Sequence, residues 1–183
     1  MKFITVDHWD DELWEKAKII YEEAFGKSGA KSEKIIRNMF AKGICFLHVL
    51  FINDEIVGMA ITGKLKNTNA LLIDYLAVRI NKRKQGIGQR LLDYIKEWSI
   101  SEQQLGAVVI EVESDPTPEN LARINFWQKN EFQLTDYIHH YIWVPEPYKA
   151  MYCKLASDAK TPQNGEELFQ LIVQFHKESF TLN

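Results

Sequence analysis

The stretch from Leu71 to Trp98 restricts the folds open to this chain more than any other. Leu71 to Val78 is nearly continuous in apolar character, with Asp74 its only charge, which is the pattern of a central strand covered on both faces. Ile87, Leu91, Leu92, Ile95 and Trp98 then repeat at helical spacing, so the spacing predicts a helix packing one stripe on the sheet. Between the two lies Arg83-Lys84-Gln85-Gly86-Ile87-Gly88-Gln89-Arg90.

Two glycines at a strand-to-helix junction let backbone N–H groups approach an anion, and the helix start adds aligned donors and partial positive charge. Arg83, Lys84 and Arg90 put fixed charge around that turn, which suits a pyrophosphate better than one carboxylate. A purely structural glycine turn fits these eight residues equally well. The third glycine of a dinucleotide fingerprint is missing, and no Gly-Lys-Ser/Thr follows, so two familiar phosphate loops are excluded.

What remains, Arg-x-x-Gly-x-Gly after a strand, resembles the acetyl-CoA pyrophosphate loop of the GNAT superfamily of N-acetyltransferases, with Arg83, Gly86 and Gly88 at the signature positions. Further on, Asn120-x-x-Arg123-x-x-Phe126-Trp127-Gln128-Lys129-x-x-Phe132 resembles that family's Asn-x-x-Ala-x-x-Phe-Tyr-Glu-Lys-x-Gly-Phe segment. The likeness covers about Lys2 to Leu155. It implies an α/β (α+β) single-domain fold over residues 1–155: a central mixed, mostly antiparallel, twisted sheet of six to seven strands flanked by helices. Residues 156–183 are then a linker and an extra C-terminal helix, packed on the domain or on a partner subunit.

The same resemblance implies acetyl-CoA as acyl donor. It gives Leu76, Ala77 and Val78 to the pantetheine arm, and Arg83, Lys84, Gln85, Gly86, Ile87, Gly88 and Gln89 to the pyrophosphate. Asn120 matches a pantetheine contact, though by itself it reads equally as a helix N-cap. Arg123 replaces the usual small residue and reaches either phosphate or solvent. Trp127 stands where the family commonly has a tyrosine that protonates the leaving sulfur. An indole N–H donates a hydrogen bond but is no general acid, so water, Tyr137 or Tyr141 takes that role, or the thiolate leaves unprotonated. Glu131 replaces a glycine and puts the local turn geometry in question.

At 183 residues one domain suffices. The net charge of −3 supplies no large basic footprint for nucleic acid. No apolar run is long enough to span a bilayer, and Asp7 and Asp10 interrupt any signal-peptide core, so a cytoplasmic protein is expected. Cys45 and Cys153 are the only cysteines, with no CxxC and no metal-spaced cluster. No metal is therefore expected. His139-His140 would point to opposite faces of a strand, which reads as structural or surface, with metal ligation as the alternative.

Before the central unit, Asp10 and Asp11 introduce a helix carrying Leu13, Trp14, Ala17, Ile20 and Tyr21. A polar Lys27-Ser28-Gly29-Ala30 linker leads to Ser32 and a second apolar stripe, Ile35, Ile36, Met39 and Phe40. Cys45 to Ile52 and Ile56 to Leu65 read as a hairpin about Asn53-Asp54. After the central unit come a strand from Gly106 to Glu113, a helix to about Lys129, β-type segments over 131–136 and 137–144, and a last strand over 148–155. Leu168, Leu171, Ile172 and Phe175 close the chain as an amphipathic helix, which leaves a homodimer open.

Transfer to a primary amine needs a proton acceptor, because an amine of pKa about 10 is protonated at pH 7. Asp74 is the first candidate and Glu111 the second, with Glu113 and Asp115 behind them. A carboxylate on a central strand is costly unless it is paired, hydrogen-bonded or open to a cleft. A paired structural role is the rival reading for Asp74. Such carboxylates favour a small cationic acceptor. Acetyl transfer to a primary amine of a small molecule or peptide, by direct attack in a ternary complex, is thus the expected activity; the alternative is an acyl-CoA-binding sensor or interaction module with little turnover.

Overall fold

The computed structural model describes residues 1–26 and 30–181; Lys27, Ser28 and Gly29 of the expected linker lie outside the described residues. Fourteen elements follow in order: β1 (Lys2–Val6), α1 (Asp11–Phe25), α2 (Glu33–Ala41), β2 (Phe46–Ile52), β3 (Glu55–Lys64), β4 (Ala70–Val78), a 3-10 turn (Ile80–Lys82), α3 (Ile87–Ser101), β5 (Ala107–Glu113), α4 (Pro118–Lys129), β6 (Gln133–Leu134), β7 (His139–His140), β8 (Pro147–Lys154) and α5 (Gly165–Phe180). The fold is mixed α/β with mostly antiparallel strands. The chain divides into two compact units: Met1–Gly63 with Ile73–Trp98 and Lys177–Asn183, and Lys64–Leu72 with Ser99–His176.

In the first unit β1 runs antiparallel to β2, from Lys2 opposite Phe51 to Val6 opposite Leu47. The β2–β3 hairpin turns through Asn53 and Asp54 at φ 49° and 62°, the left-handed pair that matches strand twist. The helices begin where side chains cap them. Asp10 Oδ1 accepts from the Leu13 N–H at 2.9 Å, and Ser32 Oγ accepts from the Ile35 N–H at 3.4 Å. Their apolar stripes, Trp14, Ala17 and Ile20 on α1 and Ile36 and Met39 on α2, are buried, as are Leu91, Leu92 and Ile95 of α3.

The same core encloses His48, whose Nδ1 bonds Thr5 Oγ1 and whose Nε2 bonds Thr62 Oγ1, both at 2.8 Å. Tyr94 hydroxyl joins at 2.9 Å from Thr5 Oγ1, and the Trp98 ring lies edge-on at 4.8 Å. Burial pushes the His48 imidazole down to about 3, so it is neutral and each ring nitrogen meets a hydroxyl that adapts to its tautomer.

In the second unit Ala70–Leu72 of β4 pair in parallel with Ala107–Val109 of β5. The β5 strand runs antiparallel to β8, from Ala107 opposite Lys154 to Glu113 opposite Tyr148. Strands β6 and β7 each add two residues to β8. Of the expected 137–144 segment only His139 and His140 are strand. Just after β6, the Thr135 N–H and hydroxyl both donate to the Ala150 carbonyl of β8. Helix α4 is capped by Thr117, which accepts from the Asn120 N–H, with Pro118 opening the helix. Asn120 is therefore not the N-cap. Helix α5 buries Leu168, Phe169, Ile172 and Phe175, and Phe169 stacks on His139 at 4.4 Å.

Candidate functional site

The first unit carries the strand, turn and helix singled out by the sequence. Burial along β4 is complete from Ala70 to Ile73, but Tyr75, Leu76 and Val78 are only half-buried, as is Asp74 through its main chain, its side chain being 3 % exposed. The main chain that would align a pantetheine arm thus lies in the more open half of the strand. Arg83 folds back and donates from Nε to the Val78 carbonyl at 3.1 Å, tying the turn to the strand end. Lys84 and Gly86 have φ of 61° and 77°, and a Cβ at Gly86 would meet nothing within 4 Å. Left-handed backbone next to open space exposes peptide N–H groups.

Ile87 is buried beneath this turn, whereas Arg83, Lys84, Gln85, Gly86, Gln89 and Arg90 are exposed. The N–H groups of Ile87, Gly88 and Gln89 have no acceptor within their own helix by construction. Gln85 donates to the Asn81 carbonyl at 3.3 Å and Gln89 to Asp93 at 2.8 Å. Exposed guanidinium and ammonium groups around first-turn amides fit a diphosphate chemically.

Asp74 points into a different environment. Its Oδ1 and Oδ2 accept from Lys31 Nζ at 2.8 and 2.7 Å, and both side chains are 3 % exposed. Lys31 is held along its length: its N–H donates to Tyr75 hydroxyl at 3.0 Å and its carbonyl accepts from Tyr21 hydroxyl at 2.8 Å. Burial, then the neighbouring Asp74 charge, pushes the Tyr75 phenol up, and burial does the same to Tyr21 and Cys45. Nothing in the sequence marked Lys31 as Asp74's partner, because a lysine in a polar linker has the composition of a solvated one.

The second unit holds the other candidates. Glu111 accepts from Tyr141 hydroxyl at 2.6 Å, and its other oxygen lies 2.6 Å from His176 Nε2 of α5. Tyr141 thus engages a carboxylate, while Tyr137 is 39 % exposed. Glu113 lies 3.6 Å from Arg123, which also donates to Asn120 Oδ1 at 3.2 Å. Asn120 Nδ2 in turn donates to the Asp115 carbonyl at 3.0 Å. The Trp127 ring sits edge-on to Phe126 and Phe132 at 5.1 and 5.0 Å. Tyr148, beside Glu113 and Glu111, is pushed up to about 12, mostly by burial. Desolvation lowers the His139 imidazole against the upward pull of Glu111.

Among the described residues no group of three His, Cys, Asp or Glu could hold a metal ion, and no helix is long and apolar enough to cross a membrane.

A half-open strand end, a left-handed glycine turn and an exposed basic helix start thus follow one another along residues 74–90. The family model for the Acetyltransferase (GNAT) family matches residues 8–132, and the chain belongs to that family. Solved structures similar in fold include a chain assigned to the GNAT family as an acetyltransferase from Bacteroides thetaiotaomicron, at 19 % identity and TM-score 0.71 over 97 % of this chain and 95 % of that one. The ribosomal-protein-S18-alanine N-acetyltransferase of Escherichia coli is 17 % identical at TM-score 0.64, over 88 % and 99 %. An aminoglycoside 6'-N-acetyltransferase complexed with coenzyme A is 13 % identical at TM-score 0.67, over 87 % and 100 %. A search of curated proteins gave no match.

Proposed function

We propose that the chain is an acetyl-CoA-dependent N-acetyltransferase that acts on a primary amine of a small molecule or peptide by direct attack in a ternary complex. The observation that carries this reading is the left-handed Gly86 turn, open above its missing Cβ and ringed by exposed Arg83, Lys84 and Arg90. When bound, acetyl-CoA supplies an acyl group on a thioester. The Ile87, Gly88 and Gln89 amides and the basic side chains, with Lys84, Gln85 and Gly86, hold its diphosphate, and Leu76, Ala77 and Val78 align the arm. Asn120, Arg123 and Trp127 are further contacts carried over from the family resemblance alone.

Asp74 is the first candidate for proton acceptor in this reading; its carboxylate is paired with the Lys31 ammonium, so the role requires that ammonium to give way to the amine of the acceptor. Glu111 is the second candidate. The acceptor of this reading is small and cationic, in keeping with a carboxylate as the proton acceptor. Residues 1–155 form the transferase domain, residues 156–183 its linker and added helix, and the location is cytoplasmic. A sensor with little turnover is the second reading, favoured by Trp127 at the position of the family's usual acid.

Coenzyme A titration by calorimetry, beside thiol release from acetyl-CoA over a panel of amines, tests both. Binding with release supports the transferase. Binding without release on any amine supports the sensor, and no binding removes both.

A further inference from the structure

Building on that reading, we infer that Lys31 is an acetyl acceptor within the same chain, so that the enzyme acetylates itself at a buried amine. The carboxylate assigned to deprotonate an external amine is occupied by a primary amine of the protein, at 2.7 and 2.8 Å. That amine is not a wandering surface group. Hydroxyls of Tyr75 and Tyr21 fix the Lys31 backbone on both sides, and the ammonium lies 5.2 Å from the Tyr75 ring centroid and 5.7 Å from that of Phe180.

Placement on β4 adds a second argument. Asp74 and Leu76 share one face of the strand and stand about 6.6 Å apart along it. The amine bound by Asp74 is therefore fixed beside the segment assigned to the thioester arm. Lys31 also lines a cleft of about 440 Å³ together with Trp14, Tyr21, Ser32 and Glu33.

The step balances without a further reagent. One ammonium proton passes from Lys31 Nζ to the Asp74 carboxylate, and the freed lone pair attacks the thioester carbonyl. The C–N bond forms and the C–S bond breaks. The sulfur leaves as thiolate, and the second proton lost from nitrogen ends on sulfur or in water. Lys31 becomes a neutral amide, and once Asp74 passes the proton it took on to water or to the thiolate, its carboxylate is left without its buried counter-ion, a place that the ammonium of an external amine then fills. In this scheme self-acetylation at Lys31 is what opens Asp74 to substrate.

The test incubates the full chain with acetyl-CoA and no added amine, following intact mass and mapping the modified peptide, with coenzyme A binding measured separately by calorimetry. The expected result is one adduct with the mass of a single acetyl group on Lys31, formed at a first-order rate that does not change when the protein concentration is varied. Lys31→Arg, which keeps the positive charge, loses that adduct while still binding coenzyme A; Asp74→Asn slows it at least tenfold. Coenzyme A binding with no adduct, with adducts only on other lysines, or with a rate proportional to protein concentration overturns the inference and leaves the transferase reading standing. Failure of wild-type protein to bind coenzyme A overturns that reading, and this inference with it.

Discussion

Lys31 and Asp74, separated by 43 positions in sequence, form a two-toothed ion pair with both side chains 3 % exposed. The pair ties the connection between α1 and α2 to the half-open end of β4. Its burial means that neither charge can be removed singly without leaving the other stranded in a poorly solvated place.

Lys31→Met is therefore expected to destabilise the protein by about 3–5 kcal/mol, the range for an uncompensated buried charge. Lys31→Met combined with Asp74→Leu recovers most of that loss. Urea unfolding of the single and double variants measures both, and a single variant as stable as the wild type would show that the pair is not buried in solution.

Gly86→Glu puts a carboxylate on the proposed diphosphate cradle at φ 77°. Left-handed backbone at a non-glycine residue costs about 1–2 kcal/mol, and a Cβ there meets nothing within 4 Å, so the fold survives. Coenzyme A affinity falls by about a hundredfold or more, equivalent to about 2.7 kcal/mol. Calorimetry with circular dichroism as the folding control checks this; retained affinity would move the diphosphate elsewhere.

His48 makes stability depend on pH. Its folded-state value, about 3, lies below the ordinary 6.5, so between those values the unfolded chain holds the extra proton. The contribution is complete above about pH 6.5 and is lost as pH falls toward about 3, with a limiting slope of about 1.4 kcal/mol per pH unit. Denaturation midpoints of wild type and His48→Asn between pH 7 and pH 4.5, compared as a difference, should diverge at the higher pH and converge as it drops. Parallel curves would mean that the imidazole is not held neutral.

Glu131 sits at φ 70° after α4, in the place where the family pattern has glycine. Glu131→Gly relieves the left-handed strain and is expected to stabilise by up to about 1 kcal/mol, raising Tm by about 2–4 °C. A melting curve decides it, and an unchanged or lower Tm would show that the side chain contributes more than the strain it causes.

The local chemistry of the chain was legible in its residues. Asp10 and Ser32 cap the helices they precede, and the apolar stripe of α3 from Ile87 to Trp98 is buried. The turn that the glycines implied does take a left-handed step at Gly86. Each of these depends on residues within a few positions of one another, where spacing encodes which side of an element faces the core. Asn120 was ambiguous for the same reason: several residues near a helix start can cap it, and Thr117 does.

What paired across the chain was not legible. Asp74 read as a costly charge needing an explanation, but its partner came from a polar linker 43 residues away. Glu111 stood out on its strand, but Tyr141 and His176, 30 and 65 positions distant, are what hold it. Periodicity reports the face a side chain occupies; it carries no record of which distant group will be folded against that face. Sequence alone therefore determined the strand, the glycine turn and the helix start, and folding alone determined which donors satisfy the buried carboxylates, because an unpaired charge away from water selects its partner only when packing brings the two together.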